Sequence, residues 1–264
     1  MTTISPPNHT PIENERDPRR LLPGASNFRD LGGHTGHGGR RVRYGRVYRS
    51  DHLAGLTSED LRLLKGMGLT HRIDFRGVAE CAALPANVAG ISTLPLPIEP
   101  TVVHRVEALL AQGTVPTEAE TVALMCQTYQ GFAREGAPVY ARFFRHLLEH
   151  STPLVFHCTA GKDRTGFAAA LLLGALGVAH DDIVQDYLLT NCLYRRSPLV
   201  HTRGPDHVMD VLWGVQPAFL EAAFTTIERE FGGLARYLAG PIGLAPTDLE
   251  RLRASLLETG NSPT

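Results

Sequence analysis

Cys158 and Arg164 are separated by Thr159-Ala160-Gly161-Lys162-Asp163, where an apolar run (153–157) gives way to an Ala/Leu-rich one (166–178). That spacing at a strand-to-helix junction suits one kind of chemistry. Backbone N–H groups in a loop at a helix N-terminus converge on an anion, and the helix dipole adds to the attraction. Gly161 lets the chain turn where a side chain would obstruct it. Arg164 can grip two phosphate oxygens with its planar fork, which a lysine cannot do. The same positive surroundings favour a thiolate at Cys158. A thiolate beneath a bound phosphate is a nucleophile aimed at phosphorus. The chemistry expected is covalent: a phosphocysteine forms and water cleaves it. The expected phosphate-binding residues are Cys158, Thr159, Ala160, Gly161, Lys162, Asp163 and Arg164. His157 is expected to support them by orienting the loop and tuning the thiolate through hydrogen bonds.

Other readings of this loop fit less well. A nucleotide phosphate loop would carry Ser or Thr after Gly161-Lys162, where Asp163 stands, and Gly at 156, where Phe156 stands. A metal site is not indicated, because His157 and Cys158 are adjacent and no second ligand cluster is visible in the sequence. A buried structural cysteine near a helix start remains the plain alternative. The strand before, the Gly within, Thr165 after the Arg and the apolar helix together weigh against it.

The elements that must hold this loop can be read from hydrophobic periodicity. Residues 153–157 read as a strand, and 69–75 (LTHRIDF) as a second strand entering a core and ending at Asp74-Phe75-Arg76-Gly77. Between them lie three helical stretches, 102–111, 118–133 and 138–149; in the third, Tyr140, Phe143, Phe144, Leu147 and Leu148 make one apolar stripe. Thr57-Ser58-Glu59-Asp60 starts a helix whose apolar face is Leu61, Leu63 and Leu64. Short strands are expected over 40–50, a helix over 181–191, and two more helices over 217–257. Residues 1 to about 20, with four prolines, read as a disordered tail. The remainder, 21–264, is expected to be a single α/β domain: a central, mostly parallel sheet flanked by helices, with 99–150 as a helical insertion and a candidate lid.

Composition limits the partners. The chain has 264 residues, 26 basic against 27 acidic, and 43% hydrophobic residues. A near-zero net charge argues against nucleic acid or a charged membrane surface as partner. The longest apolar run, Phe167 to Val178, falls short of the roughly 20 residues of a membrane span, so no stable membrane insertion is expected. The first 20 residues carry no apolar h-region and no Cys-x-x-Cys pair occurs among the four cysteines. The expectation is therefore a cytoplasmic protein with free thiols, with export by a route lacking a signal peptide left open.

HCTAGKDRTGF (157–167) resembles the signature of the protein tyrosine phosphatase superfamily. More narrowly, the chain is similar to bacterial tyrosine/dual-specificity phosphatases of the mycobacterial PtpB type. The similarity runs through NFRDLGG (27–33), VYRSDHL (47–53), IDFR (73–76) with Glu80 following, DYLLTN (186–191) and Phe-Gly-Gly…Tyr-Leu (231–238). The resemblance implies a metal-independent, cofactor-free protein-tyrosine phosphatase. Cys158 would be the nucleophile, Arg164 the phosphate clamp, and Thr165 a hydroxyl that helps the thiolate leave. Lys162 is placed like the extra lysine of phosphoinositide phosphatases, which adds lipid headgroups to phosphotyrosine and phosphoserine/threonine as substrate classes. A phosphoprotein or phosphoinositide is thus the expected partner.

The general acid is open. The family's usual Trp-Pro-Asp loop is absent, since the single Trp213 is followed by Gly214 and Val215. Asp163, within the loop, is favoured slightly over Asp74, which would lie near the loop if its strand is parallel to 153–157. Asp30 more plausibly fixes a turn. Arg29, Arg49 and Arg76 either line the mouth or stabilise the fold. Two other functions stay in view: a phosphate-recognition module without turnover, and a rhodanese-like sulfur transferase, which Gly-Lys-Asp-Arg-Thr-Gly disfavours.

Overall fold

The computed structural model describes residues 22–99, 101–196 and 204–258; the expected N-terminal tail lies outside them. Five short strands form one sheet: β1 (Arg29–Asp30), β2 (Val47–Ser50), β3 (His71–Asp74), β4 (Ser92–Pro95) and β5 (Leu154–His157), in the order β1-β2-β5-β3-β4. β1 is antiparallel to β2; every other pairing is parallel, with β5 between β2 and β3. The expected mostly parallel α/β sheet is therefore the fold. Because β5 is covered on both faces, all four of its residues are buried and it reads as an unbroken apolar run. Alternation sends Leu154 and Phe156 into a large core on one face and Val155 into a smaller one on the other.

Twelve helices cover the sheet among the described residues: α1 (Ser58–Gly66), α2 (Val78–Ala83), α3 (Thr101–Ala111), α4 (Glu118–Arg134), α5 (Ala137–Glu149), α6 (Asp163–Ala175), α7 (His180–Leu188), α8 (Thr190–Leu193), α9 (Asp206–Trp213), α10 (Pro217–Phe231), α11 (Leu234–Ala239) and α12 (Pro246–Leu256). α1 starts at a capping box, with Thr57 Oγ1 accepting from Asp60 N and the Asp60 carboxylate accepting from Thr57 N. Its Leu64 packs into the smaller core, whereas Leu63 is exposed rather than buried. α6 follows the loop directly and is buried along nearly its whole length.

Several sequence expectations are corrected here. Only Val47–Ser50 of 40–50 is a strand; Tyr44 stands in solvent. The 181–191 helix breaks into α7 and α8, and 217–257 holds three helices because Gly232 and Gly233, at φ 75° and 103°, end α10 where an L-residue would be strained. β4 emerges from a Pro-rich passage, which an edge strand tolerates because only one side needs its N–H groups. The expected helical insertion 99–150 forms α3, α4 and α5. Met125, Tyr129 and Phe132 of α4 and Tyr140, Phe143 and Phe144 of α5 belong to the same buried core as Phe156 and Phe167. It is α3 that stands over the cavity described next. No helix among the described residues is long and apolar enough to cross a membrane.

Candidate active site

The 158–164 loop leaves β5 at the C-terminal edge of the parallel strands, where α/β sheets place their ligands. Its carbonyls are pinned to the scaffold. His52 N donates to Thr159 O at 3.0 Å. Asn27 Nδ2 donates to Ala160 O at 3.1 Å and Gly161 O at 2.9 Å, and Arg49 Nη2 donates to Gly161 O at 2.8 Å. In a planar trans peptide the next N–H points opposite to the carbonyl. Tying back three consecutive carbonyls therefore turns the N–H groups of Ala160, Gly161 and Lys162 away from the scaffold. Gly161 is required twice over: its φ is +63°, and a Cβ there would lie 2.2 Å from Ser50 O.

The scaffold is itself held by charge. Asp186 of α7 accepts from Arg29 Nε at 2.9 Å and Arg49 Nη1 at 2.7 Å, all three being buried. Burial works to raise the Asp186 pKa, but Arg29 and Arg49 outweigh it and keep the group ionised. Arg29 and Arg49, two candidates for the mouth, thus lie beneath the loop and hold it. Neither lines the opening.

Cys158 is 2% exposed at the floor of a cavity of about 390 Å³ that Thr159, Ala160, Lys162, Asp163 and Arg164 also line. Arg164 is aimed by Glu80, which stands in the first turn of α2. Glu80 Oε2 accepts from Arg164 Nη1 at 2.5 Å and from Gly77 N at 2.7 Å; Oε1 accepts from Arg164 Nη2 at 2.9 Å and from the Thr159 hydroxyl. Burial pushes the Glu80 carboxyl up, but Arg164, Thr159 and Gly77 together bring it below its usual range. Ile98 O also accepts from Arg164 Nη1, at 2.8 Å. The Thr165 hydroxyl is buried without a hydrogen-bond partner among the described residues.

The two candidate acids occupy unlike places. Asp163 lines the cavity, and its Oδ1 accepts from Tyr129 Oη of α4 at 2.8 Å. Burial, then Asp163, hold the Tyr129 pKa far above its ordinary value, so it keeps its proton; with that proton committed, Tyr187 donates to Tyr129 across 2.5 Å. Asp74 does lie beside β5, in register with His157, on a parallel strand. Its carboxylate, however, faces the Arg76 fork, with Nε at 3.0 Å and Nη2 at 2.7 Å. Burial would raise its pKa, but His157 and Arg76 more than offset that and bring it to about 2. An acid that far below neutrality, already engaged by a buried Arg, is a poor proton donor. Asp74 instead fixes Arg76, which does line the cavity. His157 is fully buried with its pKa lowered to about 4, chiefly by burial, so it is neutral. Its Nδ1 lies 3.4 Å from Cys158 O. Asp30 accepts from Gly32 N and Gly45 N, fixing a turn as expected.

Lys162 lines the cavity with the rest of the loop, but its side chain turns toward the end of α9. It is 1% exposed, and its Nζ donates to Leu212 O and, at 2.9 Å, to Gly214 O, at the C-terminal end of α9, while lying 3.4 Å from Asp163 Oδ2. Carbonyls at a helix C-terminus suit a cation. Trp213, from the same helix end, lines the cavity wall with Val102 and Val103 of α3 and Leu84. Asn27, Glu80, Tyr129 and Asp186 were not picked out from the sequence as parts of the site. Glu80 left a trace, four residues after IDFR at the end of a strand.

A model of the tyrosine phosphatase family matches residues 21–258. A putative tyrosine-protein phosphatase of Cupriavidus necator is 37% identical over 240 residues, 88% of this chain and 86% of that protein. The triple specificity protein phosphatase PtpB of Mycobacterium tuberculosis is 30% identical over 277 residues, 90% of this chain and 99% of that protein. A tyrosine-protein phosphatase of Nostoc commune is 25% identical over 229 residues, 80% of this chain and 74% of that protein. With the signature loop seated at the C-terminal edge of a parallel sheet, the chain belongs to the tyrosine phosphatase family.

Proposed function

We propose that this tyrosine phosphatase works through a phosphocysteine at Cys158 and takes phosphotyrosine in preference to phosphoserine/threonine or phosphoinositides. The observation that carries the reading is the loop itself: a buried cysteine, N–H groups turned away from the scaffold, and an arginine fork aimed by a carboxylate. The Cys158 thiolate attacks phosphorus as the bond to the aryl oxygen breaks. Asp163 delivers its proton to the leaving oxygen, and then, as carboxylate, takes a proton from the water that cleaves the S–P bond and releases phosphate. The unpartnered Thr165 hydroxyl is free to donate to the departing sulfur. Arg164 and the loop N–H groups meet the charge that develops on the equatorial oxygens.

The apolar wall of Leu84, Val102, Val103 and Trp213 suits an aryl ring. The Lys162 ammonium, already taken by two carbonyls and close to Asp163, has little left to offer a second phosphate of an inositol headgroup. A rate panel with phosphotyrosine peptide, phosphoserine peptide and phosphoinositides, all with EDTA present, tests the order. Phosphotyrosine turnover sensitive to vanadate and lost in Cys158→Ser is expected. Tight phosphopeptide binding without turnover between pH 5 and 8 would leave a recognition module instead, and thiosulfate:cyanide activity would mean sulfur transfer.

A further inference from the structure

Three imidazoles meet at the opposite end of the sheet from the phosphate loop. His71 opens β3, whose far end carries Asp74 beside His157; that separates the imidazoles from the catalytic edge by about 10 Å of strand. His146 lies in the last turn of α5 and His150 caps its C-terminus, a spacing of four that places both on one helix face. The ring centroids are 4.4 Å apart for His71 and His150, 5.0 Å for His71 and His146, and 4.1 Å for His146 and His150. One ring nitrogen from each lies within 4.8 Å of the other two. His146 is only 8% exposed, and its Nε2 has no hydrogen-bond partner among the described residues. A buried ring nitrogen is normally satisfied, so this one calls for a reason. The hydroxyls of Thr70 and Thr152, bonded to each other at 2.6 Å, both reach Nδ1 of His71, at 2.9 and 3.2 Å, and fix that ring.

We propose that His71, His146 and His150 bind a first-row divalent transition metal ion, Zn²⁺ by the character of the ligands, as a clasp between the start of β3 and the end of α5. Three imidazoles suit Zn²⁺, Co²⁺, Ni²⁺ or Cu²⁺, whereas Mg²⁺ and Ca²⁺ take oxygen ligands. Three protein nitrogens with a fourth position for water is an established zinc arrangement. At a Zn–N length of 2.0–2.1 Å, tetrahedral ligand nitrogens stand about 3.4 Å apart, so each moves inward by just under about 1 Å from a triangle no wider than 4.8 Å. Side-chain rotation supplies that. The hydroxyls on His71 are the kind of outer partners that orient a ligating ring.

The test titrates Co²⁺ and then Zn²⁺ into the full-length Cys158→Ser protein, so that the active-site thiol cannot ligate. One Co²⁺ per chain is expected, with the visible bands of tetrahedral nitrogen and oxygen ligation, displaced by Zn²⁺, and with Tm raised by either metal. His150→Ala, at the helix end, is expected to weaken binding by about tenfold or more and to remove the Tm shift. His71→Ala should do the same, and His150→Gln serves if an alanine variant does not fold by circular dichroism. The proposal is overturned by failure to bind stoichiometrically, by undiminished binding in the His150 variants, or by a sulfur-to-cobalt charge-transfer band, which would assign the metal to a cysteine.

Discussion

Glu80→Gln isolates the aim of the phosphate clamp from its presence. The substitution keeps volume and one carbonyl oxygen but replaces the other oxygen with a donor. Each carboxylate oxygen now accepts twice: one from Arg164 Nη1 and Gly77 N, the other from Arg164 Nη2 and Thr159. Whichever way the amide turns, its NH₂ meets two donors and one arm of the Arg164 fork is released. A hydrogen bond to a charged group contributes about 1.5–3 kcal/mol. If that loss is expressed in the transition state as a misaimed guanidinium, kcat/KM falls about 10- to 100-fold at 1.4 kcal/mol per decade. The assay is steady-state hydrolysis of a phosphotyrosine peptide, with Tm measured on the same preparation. Arg164→Lys, which removes the fork itself, should cost more, about 100-fold to 1,000-fold. An unchanged or faster Glu80→Gln enzyme would refute the reasoning, because Glu80 would then be competing with phosphate for Arg164. A lower Tm with unaltered kcat/KM would reduce Glu80 to a structural ion pair.

Three further outcomes follow from the same geometry. Asp163→Asn should slow phosphotyrosine hydrolysis about 100-fold or more, and p-nitrophenyl phosphate, whose leaving group needs little protonation, much less; Asp74→Asn should lower Tm without that leaving-group dependence. A selective loss in the Asp74 variant would reverse the assignment of the acid. Asp186→Asn strands two buried arginines and is expected to cost about 3–5 kcal/mol in denaturant unfolding; a loss under about 1 kcal/mol would mean that Arg29 and Arg49 find other partners. Asp51, whose pKa burial raises to about 7 against its Ser26 hydrogen bonds, favours the folded state when protonated. Its folded pKa lies above its unfolded one, so that contribution is complete below about pH 4 and lost as pH rises through 7. The stability of Asp51→Asn relative to wild type should therefore improve between pH 5 and pH 8, and a flat difference would contradict the shift.

What could be read from the sequence was what is contiguous in it. Cys158 to Arg164 is one uninterrupted turn, so residue type and spacing already specified an anion loop. The β5 run and the α6 helix around it carried their own periodicity. The neighbouring parallel strand ending at Asp74 was legible too, but not the direction of its carboxylate, which depends on Arg76 folding back onto it. Glu80, Asn27 and Asp186 each act on a group 79 to 157 residues away along the chain. Locally each resembles an ordinary first-turn acid, turn residue or mid-helix carboxylate. Tyr129 sat in an apolar helical pattern that marks core, and its hydroxyl reaches Asp163 only because α4 packs against α6. The 99–150 segment reads as a candidate lid from its helical spacing and its place between the two strands, but which of its helices faces the cavity is not written in that spacing; α3 does.

The bracing of the loop also fixes when, during synthesis, its shape can be completed. The loop carbonyls are held by residues near position 27 and position 49, but Arg29 and Arg49 are themselves held by Asp186, and Lys162 reaches past Asp163 to carbonyls at 212 and 214. A nascent chain that has just exposed Cys158 already holds Asn27, Arg49 and His52 but not Asp186 or the end of α9, which lies more than fifty residues further along. Contacts this distant in sequence slow folding as a whole, because loop-closure entropy opposes them. The Cys158 loop therefore has its full set of contacts only once the chain has been made past position 214.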